Sequence, residues 1–356
     1  MSTGSGGADI LLCAQYMRAG QGGIAEVARM TARALAGSHC VRALACMDPG
    51  DFNDGQVPVT AFAGSRARFL WHLATAGRRA SHVIHDFAGT ARAQQFLAGA
   101  ARPHALWVHG CEAWRNPPPK YVKAIRKADL VLVNSQHTLE RAADALRGAK
   151  NIRVCPLATG SDDAPARVGI PDGPPTVLLL GRIDDALAKG HDTLVSLWPR
   201  IAAAVPGARL VFAGGGNRVD DICALAAASP AASSIEITGY VPEESLEAIW
   251  ARATVFAMPG FEEGFGLVYA EAMRRGIPVL ASREDAGQEV NLDGVSGFNV
   301  SRQAPAEMAD ALIGLLRDRD LAGKMGRAGH QRWYEHYRYS QFQRRLLAAT
   351  RDFLSS

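Results

Sequence analysis

Two glutamates, Glu263 and Glu271, lie either side of seven residues that include the glycine-rich turn Gly264, Phe265, Gly266. An apolar, strand-like run, Thr254 to Met258, precedes them. The residues from Leu267 have helical spacing, and a second apolar run, Ile277 to Ala281, follows. Strand, glycine loop, helix, strand is the parallel βαβ order, in which ligands sit at the carboxyl ends of the strands. Glycines at 264 and 266 let the backbone come close to a ligand, and the amides of the next helical turn suit a phosphate. Glu263 in that loop is a poor phosphate ligand but a good acceptor for sugar hydroxyls. Glu271, about two turns along the helix, would reach another part of the same ligand, so the pair points to a polyol on either side of a phosphate, as in a nucleotide sugar. Glutamates are mostly solvent-exposed, and solvated loop and helix charges are the plain alternative.

A second constellation lies upstream. The apolar run Val177 to Leu180 delivers Gly181 and Arg182 to its carboxyl end, and Lys189 follows after six intervening residues. Two fixed cations beside a diphosphate would neutralise the charge that develops on a departing nucleoside diphosphate, work done elsewhere by a metal. Another predicted strand, Arg209 to Ala213, runs into Gly214, Gly215 and Gly216.

The elements that must carry these residues are those of an α/β protein. With 356 residues, 48% of them hydrophobic, and 36 glycines, the chain is large for one core and suited to two domains. Residues 1–160 hold 19 Lys and Arg against 10 Asp and Glu, and residues 161–356 hold 20 against 25. The basic first half suits an anionic membrane surface or a negative acceptor, although ordinary variation in surface charge gives the same numbers. Nothing points to nucleic acid. Six scattered cysteines without a CxxC pair read as reduced residues. Asp318, Arg319 and Asp320 read as a charge cluster at a helix end, and no metal or cofactor is expected. Without an apolar run of ~20 residues or a basic leader, the expected location is the cytoplasm, where the inner face of a membrane is accessible.

Near the start, the strand Ile10 to Cys13 leads through Gly20, Gly22 and Gly23 into a helix with Ile24, Val27, Ala28, Thr31 and Leu35 on one side. The GxGxxG spacing fails and no acidic residue closes a second strand, which argues against a dinucleotide dehydrogenase. Between Gly64 and Ser81, Phe69, Leu70, Trp71 and Leu73 alternate with arginines. Such a helix can lie on a membrane interface, or pack its apolar side on the sheet and leave the arginines in water.

The central stretch resembles the Glu-x7-Glu signature of the retaining nucleotide-sugar glycosyltransferases of family 4. Pro259, Glu263 to Leu267, Glu271 to Met273, Gly276, Pro278, Val279, Ala281 and Ser282 carry the likeness. It implies that Glu263 contacts the donor hexose and Glu271 the ribose. Gly181, Arg182 and Lys189 resemble the motif that clamps the donor diphosphate, and Gly22 and Gly23 the turn that lies against it. Tyr240 and Val241 fall in a segment whose backbone flanks the nucleobase, and Gly264, Phe265, Gly266 and Leu267 form the donor loop. His109, at the end of the strand-like ALWVHG, resembles the family's histidine near the transferred sugar, with Glu112 and Trp114 as acceptor contacts.

The resemblance implies the GT-B fold, two Rossmann-like domains facing an interdomain cleft. Its expected parts are an acceptor domain over 1–160, a linker over 161–175, a donor domain over 176–330 and a C-terminal segment over 331–356 returning to the first domain. The implied activity is metal-independent hexosyl transfer from a nucleotide sugar to a hydroxyl with retention. A lipid-linked saccharide in exopolysaccharide assembly is the expected acceptor. A nucleotide-sugar epimerase of the same architecture and a non-catalytic nucleotide-sugar binding protein are the alternatives.

Overall fold

The computed structural model describes residues 7–96, 102–184 and 189–355, so Ala186 and Ala188, in the stretch before Lys189, lie outside the described residues. The chain forms two compact units, Met1–Gly160 with Tyr339–Ser356, and Ser161–Arg338.

Unit 1 is built on eight strands: β1 (Asp9–Ala14), β2 (Cys40–Ala45), β3 (Phe52–Asp54), β4 (Val57–Ala61), β5 (His82–His85), β6 (His104–Val108), β7 (Leu130–Val133) and β8 (Ile152–Val154). Their order is β3-β4-β2-β1-β5-β6-β7-β8, and all neighbours are parallel except β3 and β4. The central strands are apolar throughout because helices cover both faces: every residue of β6 and β7 is buried. In helix Arg66–Gly77, Phe69 and Leu73 pack inward while Trp71 is 63% exposed. Ser135 caps its helix as its residue type predicts, its hydroxyl accepting from the Thr138 amide at 2.9 Å.

The last helix, Tyr339–Leu354, belongs to unit 1. Phe342 stacks on Trp107 with ring centres 6.2 Å apart, Gln343 donates to the Ala34 carbonyl, and Arg345 donates to the carbonyls of Pro156 and Leu157. The return begins at Tyr339, so residues 331–338 of the expected returning segment group with unit 2.

Unit 2 has six parallel strands: β9 (Thr176–Leu180), β10 (Arg209–Ala213), β11 (Ile235–Ile237), β12 (Val255–Ala257), β13 (Val279–Ser282) and β14 (Gly297–Val300). They are ordered β11-β10-β9-β12-β13-β14, so the loops that leave β11, β10, β9, β12 and β13 stand side by side along one edge of the sheet. The glycine-rich turn leads into helix Leu267–Arg274 as its spacing predicts. Asp318 does not sit in a metal cluster: it caps helix Arg319–Arg332, accepting from the Leu321 amide at 2.8 Å. No disulfide forms among the described residues, which include all six cysteines.

Candidate active site

The carboxyl edge of the unit 2 sheet collects most of the residues singled out above. Lys189 comes back over the end of β9: a Cβ on Gly181 would lie 3.0 Å from the lysine Cδ, so any larger residue there would push the side chain aside by a few tenths of an ångström. Its Nζ then donates to Glu263 Oε2 at 2.9 Å and lies 3.7 Å from Met258 Sδ. The next residue, Gly190, has φ +90°, and a Cβ there would strike Pro259. Lysine, glycine and proline loop are therefore locked against one another. Arg182 extends instead to Asp184, 2.5 Å away, with its side chain 71% exposed. That hydrogen bond, with the charges of Arg182 and Lys189, holds the Asp184 carboxyl below the usual carboxylate range.

The glutamate loop is fixed from beneath. Gly266 adopts φ +84°, and a Cβ there would lie 2.3 Å from the Tyr269 ring, so the turn into the helix requires glycine. The Tyr269 hydroxyl donates to the Met258 carbonyl at 2.7 Å, and burial pushes its pKa well up, keeping it a neutral donor. The first turn of helix Leu267–Arg274 carries no acidic residue, so its amides present an uncancelled positive end. Phe265 is buried with its ring against Tyr337, which leaves its backbone as the part that can meet a ligand.

The two glutamates have different partners. Glu263 pairs with Lys189, whereas Glu271 pairs with Arg275 Nη1 at 2.6 Å and Arg274 Nη1 at 3.6 Å. Arg275 is buried, lies over the Trp250 ring and also bonds Glu247, which fixes the orientation of Glu271.

Two features of this edge were not assigned from the sequence. Gly214, at φ +151°, approaches β9 so closely that a Cβ would lie 1.9 Å from the Gly181 carbonyl oxygen, and a Cβ on Gly216 would lie 2.1 Å from that of Ile183. The Gly-Gly-Gly run was the signal. Tyr240 stands beside this loop and is 69% exposed, and the Gly214 amide donates to the Gly239 carbonyl. The second feature is Asp285, in the loop after β13. Its carboxyl accepts from the Gly287 amide at 2.8 Å and the Glu263 amide at 3.3 Å, while the Ala286 amide donates to the Glu263 carbonyl. Glu263 is thus held through its backbone on both sides. Burial pushes the Asp285 carboxyl up to about 7, against the lowering effect of the Gly287 bond.

His109, Gly22 and Gly23 belong to unit 1. Gly22 has φ +93°, and its carbonyl accepts from Glu26 to open the helix that begins at Gly23. His109 follows β6, stacks on Trp107 and places Nε2 2.6 Å from the Asp86 carbonyl oxygen. Burial lowers its pKa, so the ring is neutral, with Nε2–H donating and Nδ1 left as acceptor. Glu112 accepts from the His109 amide and Trp114 packs against the local core, so both support the turn. Asp86 ties the ends of β1 and β5 together, accepting from the Gln15 amide and the Thr90 hydroxyl, both at 2.6 Å; burial pushes it up to about 7. A cavity of about 610 Å³ opens at this end of the sheet. Phe69, Leu70, Phe87 and Tyr121 supply apolar walls, and Arg66, Arg92 and Lys120 supply charge. Among the described residues no cluster suited to a metal ion occurs.

This geometry can be set beside known proteins. Residues 160–332 match the family described as "Glycosyl transferases group 1". The "GDP-mannose-dependent alpha-(1-6)-phosphatidylinositol monomannoside mannosyltransferase" of Mycobacterium tuberculosis is 34% identical over 278 residues, which cover 72% of this chain and 70% of the relative. The chain belongs to the group 1 glycosyltransferases. The "D-inositol 3-phosphate glycosyltransferase" of Nocardia farcinica is 31% identical over 219 residues, covering 57% of this chain and 48% of that relative. Among solved structures, sucrose-phosphate synthase from Thermosynechococcus elongatus superposes with a TM-score of 0.81 at 17% identity, covering 98% of this chain and 99% of that one. Anabaena HepE, solved with UDP and glucose, gives 0.79 at 15% identity, covering 97% and 100%. The fold is GT-B, and as a group 1 glycosyltransferase the protein is an enzyme that uses a nucleotide-sugar donor.

Proposed function

We propose that this glycosyltransferase moves a hexose from a nucleoside diphosphate sugar to a hydroxyl of a lipid-borne, phosphate-containing saccharide or polyol, with retention at the anomeric carbon. The Lys189–Glu263 pair carries the donor half of the reading. It sets a fixed cation and a hydroxyl-accepting carboxylate 2.9 Å apart at the open edge of a sheet, beside an uncapped helix start. The diphosphate would lie along Gly181, Arg182, Lys189 and the amides of Gly264 to Leu267, with Glu263 on the hexose, Glu271 on the ribose, and Tyr240 and Val241 beside the base. As the bond from the anomeric carbon to the diphosphate breaks, the two cations stabilise the leaving oxygen. The acceptor oxygen then bonds from the same face and its proton passes to the departing phosphate. No metal or cofactor is required, since fixed cations do that work. His109 Nδ1 would accept from a sugar hydroxyl.

The acceptor half rests on the unit 1 cavity, whose apolar walls and three cations suit an amphiphile bearing an anion. Relatives named for phosphatidylinositol monomannoside and inositol 3-phosphate support an acceptor of that chemistry, and the GDP-mannose in the first name makes it the donor to try first. Glycolipid synthesis fits those names better than exopolysaccharide assembly, and a lipid-borne acceptor would bring the protein to a membrane surface. Among the described residues no helix is long and apolar enough to cross one.

The test incubates the protein with a panel of nucleotide sugars, with and without extracted lipid, and follows nucleoside diphosphate release and glycolipid product. Lipid-dependent transfer from one donor is the expected result. Free sugar product without an acceptor would indicate the epimerase, and donor binding with no turnover would indicate a binding protein; either overturns the proposal.

A further inference from the structure

A second cavity, about 450 Å³, shares Arg92 and Lys120 with the acceptor cavity of unit 1. From there it follows helix Pro119–Lys127 to the opposite, amino-terminal edge of the sheet. His104 opens β6, Asp129 stands just before β7, and Lys150 stands just before β8, and all three line it. Lys120, Lys123 and Lys127 recur at helical spacing along one side, over about 10 Å at the α-helical rise. Arg92, Arg102 and Lys150 bring the lining to six cations.

Asp129 is the sole carboxylate among the described lining residues, and it is already engaged. Lys150 Nζ donates to it at 2.8 Å and the His104 amide donates at 3.1 Å. Arg102 spends one donor on the Arg78 carbonyl. No described carboxylate pairs with Arg92, Lys120, Lys123 or Lys127, so the groove gathers like charges whose repulsion the single carboxylate, Asp129, offsets only in part. A lone surface lysine needs no explanation. Six cations converging on one concave strip, over a length no single tetrahedral anion bridges, do.

We propose that this groove is a binding site for clustered phosphates, as in a di- or polyphosphate chain, whether free in solution or borne on a lipid. It lies at the other end of the strands from His109 and Asp86. It does not depend on the acceptor reading: phosphate binding without sugar transfer would defeat that reading and leave this one standing.

The experiment uses the full chain and the pairs Lys123→Gln/Lys127→Gln and Lys123→Arg/Lys127→Arg. Both residues are exposed, line this groove alone and touch neither the donor site nor the acceptor cavity. Calorimetry at low salt with inorganic tripolyphosphate reads the free source. Flotation with phosphatidylcholine vesicles, with or without phosphatidylglycerol, reads the lipid source. Saturable binding that weakens about tenfold or more in the Gln pair, with salt, and not in the Arg pair supports the site, since it follows charge rather than shape. Whichever probe shows it identifies the source. No saturable binding of either probe, or equal binding by wild type and the Gln pair, overturns the proposal.

Discussion

Lys189 Nζ and Glu263 Oε2 lie 2.9 Å apart, with the lysine side chain 15% exposed and the glutamate side chain 24%. Neither charge is easily rehydrated when its partner is removed, so each substitution both deletes a ligand group and leaves an uncompensated charge. Lys189→Ala is expected to lower kcat/KM with the nucleotide sugar by on the order of 10²–10³, the effect of losing one donor to a developing anion. Lys189→Arg should recover part of it. The double variant with Glu263→Ala should lose less than the product of the two single losses, because the residues act as a unit. Steady-state kinetics on wild type and the four variants checks this.

Gly214, on the donor edge, and Gly22, in unit 1, differ in what they demand. Gly214→Ala places a Cβ against a backbone oxygen at a left-handed φ and is expected to cost about 3 kcal/mol or more. Gly22→Ala also has a positive φ, +93°, but open space around the new methyl, and should cost only about 1–2 kcal/mol. Urea unfolding of the two variants separates steric demand from conformational demand, and equal losses would mean that the close approach of Gly214 to Gly181 is misplaced.

Asp285 gives a pH signature. Its carboxyl, about 7 in the folded protein against an ordinary 3.8, keeps a proton that the unfolded chain releases. The contribution to stability is fully present below pH 3.8 and is lost as pH rises towards 7. Buried histidines oppose it in the same range: burial lowers His191 to about 4, so its contribution is lost as pH falls. The difference between wild type and Asp285→Asn isolates the carboxyl. The variant, measured by urea midpoint, should gain on wild type between pH 4 and 7, on the order of a few kcal/mol. A flat difference would contradict the shift.

His109 should act without changing charge. With the ring neutral and Nε2 committed to the Asp86 carbonyl, His109→Phe removes the Nδ1 acceptor, and kcat is expected to fall roughly tenfold. The pH profile above pH 6.5 should keep its shape. An inflection present in wild type and absent from the variant would show that the ring transfers a proton.

The parallel sheets were legible because buried strands read as unbroken apolar runs between helical stretches, as Val177 to Leu180 and Ala105 to Val108 do. Lys189 and Glu263 were legible as types at a spacing, though not as partners, since 74 residues separate them. Asp285 was not legible: a lone aspartate in a polar loop carries no sign that it will be buried under the Glu263 backbone. The direction taken by Arg182, towards Asp184, was equally hidden, because rotamers of an exposed arginine leave no trace in spacing. The cationic groove escaped for a related reason. Its six residues come from helix Pro119–Lys127, from the start of the short helix Arg92–Phe96 and from the segments just before β6 and β8, and only the fold brings them together.

The central claim is that Lys189 grips a diphosphate at the end of β9. Calorimetric titration of GDP and GMP into wild type and Lys189→Ala tests it most directly. Wild type should bind GDP more tightly than GMP, and the substitution should erase most of that difference while leaving GMP binding nearly unchanged. GDP binding of equal strength in the two proteins would contradict the account.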